Sequence, residues 1–302
     1  MFDFMKVLTL RAVFRAEDAG NLPPYLGSTV RGILGHCFRK FVCDRQALKC
    51  FKCSERFDCA YVQNFASTGG EAGAVNPFAI HVLTQGKTTW EAGDVCVFEL
   101  TLFGRSALQP GIYLDAIKSM EKEGWGAERL RFSLVRITDS ESGRLIFAGD
   151  KTWIRNAQAH DIKICERNAG TAVIDFETPV RIVSGRKLFE SLTFPMLVQF
   201  LSRRMALLAK AYGDGGPDWK EDELLLMAED IQVVEEHWQD VNFSRYSVNQ
   251  KQNRLELPSR IGWVMYEGSL GPFVPLLEAG KYFHVGKNAT IGFGHYEVYY
   301  DR

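Results

Sequence analysis

No run of apolar residues in this 302-residue sequence approaches the ~20 that a membrane-spanning helix needs. The opening residues, MFDFMKVLTLRAVFRAED, have no basic n-region, continuous apolar core or small-residue cleavage site, so no secretory leader is expected there. Several catalytic signatures are missing too. There is no HExxH, no GxSxG and no paired-carboxylate motif. Lys287 follows the first glycine of the C-terminal glycine run, and no Lys-Ser/Thr follows the last, so the run is not a P-loop. Gly292 and Gly294 do not open a GxGxxG, and nucleotide-triphosphate chemistry has little support. No segment is of low complexity, and Gly213–Pro217 reads as an ordinary loop.

Neither sign of charge dominates: 36 Lys and Arg stand against 37 Asp and Glu, a net charge of −1. The distribution is uneven. Pro217 to Asp240 holds nine acids and one base, Lys220, and so carries −8, which leaves +7 on the rest. Leu224, Leu225, Met227, Ile231 and Val234 recur there at helical spacing, predicting an amphipathic helix with a solvated acidic face. The remaining surface is moderately basic and permits a polyanionic partner. A hydrophobic content of 46% and a charged content of 24% are those of a soluble globular chain, long enough for two domains.

Seven cysteines, an odd number, favour thiols or metal ligands in a reducing cytoplasm over disulfides. Cys43, Cys50, Cys53 and Cys59 crowd a polar segment with no apolar periodicity of its own. Four thiolates could hold such a loop around one structural Zn²⁺. Cys50-x-x-Cys53 is a knuckle spacing, whereas Cys43 and Cys59 do not make the second close pair of a zinc ribbon. Unlinked thiols and an iron–sulfur cluster remain alternatives. Cys37 falls on an apolar helix face, and Cys96 and Cys165 read as isolated thiols.

The chain repeats one plan. Lys6 to Arg15 alternates as a half-buried strand, and a helix from about Tyr25 to Phe41 follows, with a stripe of Leu26, Val30, Ile33, Leu34, Cys37 and Phe41. Val95–Phe103 is a strand pattern, Ile112–Met120 helical, Leu130–Thr138 a strand that turns through Ser140–Gly143 into Leu145–Phe147. Later come a strand over Ala172–Val183, a helix opened by Leu192-Thr193-Phe194-Pro195 and running through Lys210, a strand over Arg254–Tyr266, a helix over Phe273–Ala279 and a strand over Tyr296–Tyr300. This predicts an α+β protein of two tandem ferredoxin-like (βαββαβ) domains, residues 1–169 and 170–302, with a cysteine-rich insertion at about 42–65.

Two places could carry chemistry. His36 lies about 110° from the centre of its helix's apolar stripe, with Gly32 and Arg39 on the same side and Lys40 one turn on. A small residue and cations beside an imidazole would admit a phosphate; a boundary histidine bonded to a neighbouring carbonyl fits the same pattern. The second is Gly286-Lys287-Asn288-Ala289-Thr290-Ile291-Gly292-Phe293-Gly294. Three glycines, a lysine and an aromatic suit a phosphate chain and stacked bases, and a hairpin turn between strands suits the spacing as well.

Four segments together, GSTVRGILGHCFRKFVC, the cysteine set ending in DCAYVQNF, RIGWVMYEGSL and HVGKNATIGFGHY, resemble the CRISPR precursor-RNA processing endoribonucleases of the RAMP superfamily, in a cysteine-cluster-containing subset. The resemblance spans both domains. It implies binding of CRISPR repeat RNA and cleavage without a catalytic metal. The ribose 2′-OH would attack the adjacent phosphodiester, leaving a 2′,3′-cyclic phosphate and a 5′-hydroxyl. His36 would serve as general acid or base, with Tyr25 and Lys40 as the matching tyrosine and lysine. RNA contacts would fall to Arg31 and Arg39 on the first helix and to Gly286, Lys287, Asn288, Gly292, Phe293 and Gly294. CRISPR effector subunits are possible partners; no membrane is. A non-catalytic guide-RNA-binding subunit of the same superfamily, or more remotely a zinc-stabilised protein adaptor, would share much of this pattern.

Overall fold

A computed structural model describes residues 2–65, 75–246 and 254–301. The chain forms two compact units, Asp3–Asp161 with Leu207–Gly215, and Met1–Phe2 with Ile162–Ala206 and Gly216–Arg302.

The first unit is built on β1 (Lys6–Ala16), α1 (Gly27–Val42), α2 (Ala60–Asn64), β2 (Phe78–Val82), β3 (Val95–Phe103), α3 (Gly111–Ser119), β4 (Phe132–Asp139) and β5 (Leu145–Ala148). Its sheet runs β2-β3-β1-β4-β5, with every pair antiparallel. With the helices after β1 and β3, this is the ferredoxin-like strand order. One face of β1 (Leu8, Leu10, Ala12, Phe14) joins Val30, Leu34, Cys37 and Phe38 of α1 and Tyr113, Leu114 and Ile117 of α3 in a single core. Each aliphatic side chain so buried contributes about 1.5–3 kcal/mol. The other face of β1 is also largely covered: Val7 and Val13 are buried, and Thr9 hydrogen-bonds Thr101 at 3.1 Å. At the end of α1 the structure buries Phe38 and leaves Phe41 about half exposed, the reverse of the expected stripe. Phe38 is one turn beyond Leu34 and contacts Phe65 and Tyr113, at 4.9 and 5.0 Å.

The second unit repeats the order with β6 (Thr171–Val180), α4 (Phe194–Tyr212, whose last residues belong to the first unit), α5 (Glu221–Ala228), β7 (Gln232–Tyr246), β8 (Arg254–Glu267), α6 (Val274–Phe283) and β9 (Glu297–Tyr300). The sheet runs β7-β8-β6-β9, again antiparallel. Phe194 of α4 packs edge-on against Tyr266 of β8 and Phe273, both at 4.9 Å.

The acidic segment is not one helix. It folds as the short α5, a three-residue turn and the edge strand β7. Residues assigned to a single apolar stripe part company: Ile231 is buried, whereas Met227 and Val234 are exposed, Val234 being the extra residue of a β-bulge.

Candidate active site

α1 presents its polar side through His36 and Lys40, one turn apart. The His36 ring is 56% exposed. Both residues meet Glu123, which follows α3: Lys40 Nζ pairs with Oε1, and His36 Nε2 lies 3.8 Å from the same oxygen. The Glu123 carboxyl is held below its usual range, first by the Lys40 hydrogen bond and then, against partial burial, by the charges of Lys40, His36 and Arg129. An imidazole beside a carboxylate that an ammonium also touches is an arrangement able to exchange a proton with a phosphodiester lying on the exposed ring edge.

Tyr25 is elsewhere. It precedes the first turn of α1, so about three turns, roughly 15 Å of helix axis, separate it from His36. Its hydroxyl is pushed far up by burial. The arginines are engaged in holding the fold. Arg31 Nη2 donates to the Phe65 carbonyl at 2.9 Å. Arg39 Nη2 donates to the carbonyls of Gln46 (3.0 Å) and Leu48 (2.9 Å), and its guanidinium sits over the Tyr61 ring. Glu123 has no signal in the sequence: it is 83 residues from Lys40, in an unremarkable loop.

The four cysteines fall in one loop. Cys43 ends α1, Cys50 and Cys53 flank a short 3-10 turn, and Cys59 precedes α2. All are half-buried free thiols. Burial, then the nearby Cys50 and later Cys43, pushes the Tyr61 hydroxyl up. The donor set suits zinc chemically. The sulfurs are not gathered to one point, since no cysteine belongs to a group of three ligand atoms within 4.8 Å of one another among the described residues.

In the second unit the glycine-rich loop is a packed turn. Gly286, Asn288, Gly292 and Gly294 all have positive φ. A Cβ on Gly294 would stand 1.9 Å from the Val285 carbonyl oxygen, so only glycine closes the loop there. The Lys287 amide donates to Arg181 O, and the Gly294 amide to Pro179 O, both at 2.9 Å. Phe293 is fully buried with its ring 5.5 Å from Phe243, so it fills the core and is not offered to a base. The Lys287 side chain is exposed, and it makes no hydrogen bond or ion pair among the described residues. His284, next to this loop in the chain, is the reserve candidate should His36 prove dispensable. It is buried at φ 58°, ψ 159°, a conformation nearly confined to glycine, and its Nδ1 lies 3.1 Å from Phe293 O.

A family model described as CRISPR-associated endoribonuclease Cas6 matches residues 174–296. A second, AF_1859_N, described as an N-terminal domain, matches residues 5–159. The Cas6 match thus takes in most of the second half of the chain. An uncharacterized protein of Archaeoglobus fulgidus is 24% identical over 200 residues, 65% of this chain and 66% of that one. Among solved structures, a partial Cas6-RT-Cas1–Cas2 complex superposes with a TM-score of 0.64 at 12% identity, covering 99% of this chain and 47% of that one. A Cas6 product complex gives 0.60 at 15% identity, covering 97% and all of that chain. Cas6 of Thermus thermophilus gives 0.58 at 13%, covering 98% and 99%. At such identities these structures establish the tandem ferredoxin-like fold of this chain. The chain spans about two thirds of the Archaeoglobus relative and about half of the matched chain in the Cas6-RT-Cas1–Cas2 complex. Among the described residues no helix is long and apolar enough to cross a membrane.

Proposed function

We propose that this protein is a Cas6-family CRISPR repeat-RNA endoribonuclease that cuts precursor crRNA without a catalytic metal. The observation that carries this is the exposed His36 imidazole held beside Glu123 and one turn from Lys40. In the reaction, the ribose 2′-oxygen bonds to phosphorus as the bond from phosphorus to the 5′-oxygen breaks. The 2′-OH proton leaves to a base, and the departing 5′-oxygen takes a proton from an acid. The products are a 2′,3′-cyclic phosphate and a 5′-hydroxyl. His36 serves one of the two proton transfers. Lys40 offers positive charge toward the phosphorane-like state. Tyr25, three turns away and with its hydroxyl buried, is given no part in the two proton transfers. Lys287 and Asn288, at the outside of the glycine turn, bind backbone phosphate, with Gly286, Gly292 and Gly294 fixing the turn.

Support for the substrate comes from the Cas6 endoribonuclease model matched by residues 174–296 and from similar structures solved as a Cas6 product complex and within a Cas6-RT-Cas1–Cas2 complex. We place the protein in the cytoplasm, with CRISPR subunits as partners. The cysteine loop is proposed to take up one structural zinc that draws its thiolates together. No residue of the 43–59 loop is buried, and such a loop gains from a metal what a core would otherwise supply.

Incubation of the protein with repeat RNA in EDTA tests the proposal. Cleavage at one site, with a cyclic phosphate on the 5′ fragment, is the expected result. Retention of RNA without cleavage would replace the nuclease with a guide-RNA-binding subunit.

A further inference from the structure

The loop that carries the cysteines also carries two phenylalanines on the outside of the molecule. Phe51 is 64% exposed and Phe57 69% exposed. Isolated exposed apolar residues are ordinary. These two are not isolated from charge: Lys49 Nζ and Lys52 Nζ lie 5.9 and 6.0 Å from the centre of the Phe51 ring, and the Arg56 guanidinium lies 4.6 Å over Phe57. Arg45 is neutralised by Glu55 at 2.6 Å, whereas Lys49 and Lys52 have no carboxylate partner among the described residues. Flat rings open to solvent and interleaved with free cations are the elements of a surface that stacks bases and tracks a phosphate backbone.

The loop's position gives this surface a purpose. Arg39 bonds the carbonyls of Gln46 and Leu48, so the loop is pinned to the last turn of α1, beside Lys40 and one turn past His36. RNA whose scissile phosphate lies at His36 would have its neighbouring nucleotides within reach of the loop. We infer that Phe51 and Phe57, with Lys49, Lys52 and Arg56, form a second RNA-contact site that stacks unpaired bases flanking the cleaved bond. This rests on the proposed nuclease function. A ring stacks on any base, so the site would hold single-stranded flanks with little sequence preference.

The test is binding of unpaired repeat RNA by the wild type and by Phe51→Ala/Phe57→Ala, at several salt concentrations and with single abasic positions walked through the flanks. Both rings are exposed, so the thermal midpoint should not move. The doubly substituted protein should bind roughly 5- to 100-fold more weakly. One or two abasic positions should weaken the wild type and leave the variant unaffected, as expected when base and ring are partners. Lys49→Ala/Lys52→Ala should lower the salt slope by about two counterions. Phe57→Ala alone, outside the Cys50–Cys53 turn, provides the comparison if the double variant rearranges the loop. Equal affinity of wild type and both phenylalanine variants would overturn the inference while leaving the nuclease proposal intact, and would leave the rings to a protein partner. A wild type that does not retain repeat RNA would overturn the nuclease proposal itself.

Discussion

His36 Nε2 lies 3.8 Å from the Oε1 atom of Glu123, the oxygen that Lys40 also engages. One carboxylate thus ties together two side chains separated by a helical turn. It stands close enough to favour a charged imidazole without enclosing it, and leaves the ring open to a substrate.

His36→Ala should therefore slow single-turnover cleavage of repeat RNA by roughly 10²–10⁴-fold, the usual share of general acid–base catalysis. RNA affinity should hardly change. Replacing the 2′-OH at the cleaved position by hydrogen should stop the wild type completely, because the nucleophile is gone. Cleavage by His36→Ala at the wild-type rate would remove the residue from the mechanism.

The glycine turn separates binding from architecture. Lys287 is exposed, so Lys287→Ala should leave the melting temperature alone, weaken RNA binding and reduce its salt dependence by about one counterion. Gly294→Ala should instead lower the melting temperature, since its Cβ would collide with the Val285 carbonyl oxygen at a φ of 74°. Denaturation curves and salt titrations of the two variants distinguish these effects.

The repeated βαββαβ plan was legible because Leu8, Leu10, Ala12 and Phe14 alternate and Val30, Leu34 and Cys37 follow a helical period, so local pattern and core agree. In both halves the strand that went unnamed is the second, β2 in one and β7 in the other, each at the outer end of its sheet. In β7 the acids of a one-sided edge strand, interrupted by the bulge at Val234, imitated a helix. His36 and Lys40 could be placed on one helix face from their spacing alone. Glu123 could not be found that way, because its meeting with them is purely tertiary. Phe293 was misleading for a related reason: an aromatic between glycines looks available for stacking, and only packing shows that its ring fills the core against Phe243.

Protein purified without added zinc should carry about one equivalent of metal, because four thiolates close a tetrahedral site. Thiol titration should then find the four loop cysteines protected together and exposed together by a strong chelator. Chelation should loosen residues 43–59, seen as faster proteolysis there, and should leave cleavage dependent on no added metal. Cys37 offers an internal contrast: it is fully buried, and burial pushes its thiol up to about 11, so it should stay unreactive throughout. Metal-free protein with four separately reactive thiols would count against the site.

The first unit's stability should fall in acid through Glu99. Burial alone would raise its carboxyl, but the nearby His81, hydrogen bonds from Ser140 and Arg11, and the Arg11 charge bring it down to about 2. Arg11 donates from Nε and Nη2 to a single Glu99 oxygen, at 2.9 and 2.7 Å. A carboxyl depressed in the folded state is protonated first in the unfolded chain. Its contribution is therefore complete above the unfolded value of about 4.3 and is lost as pH falls from there toward the folded value. The depression corresponds to about 3 kcal/mol at neutral pH. Glu99→Gln should lower the unfolding free energy by an amount of that order at pH 7, and the gap between the two proteins should narrow between pH 4.5 and pH 2. Urea denaturation at a series of pH values measures this, and a gap independent of pH would show that Glu99 acts through packing and not through its charge.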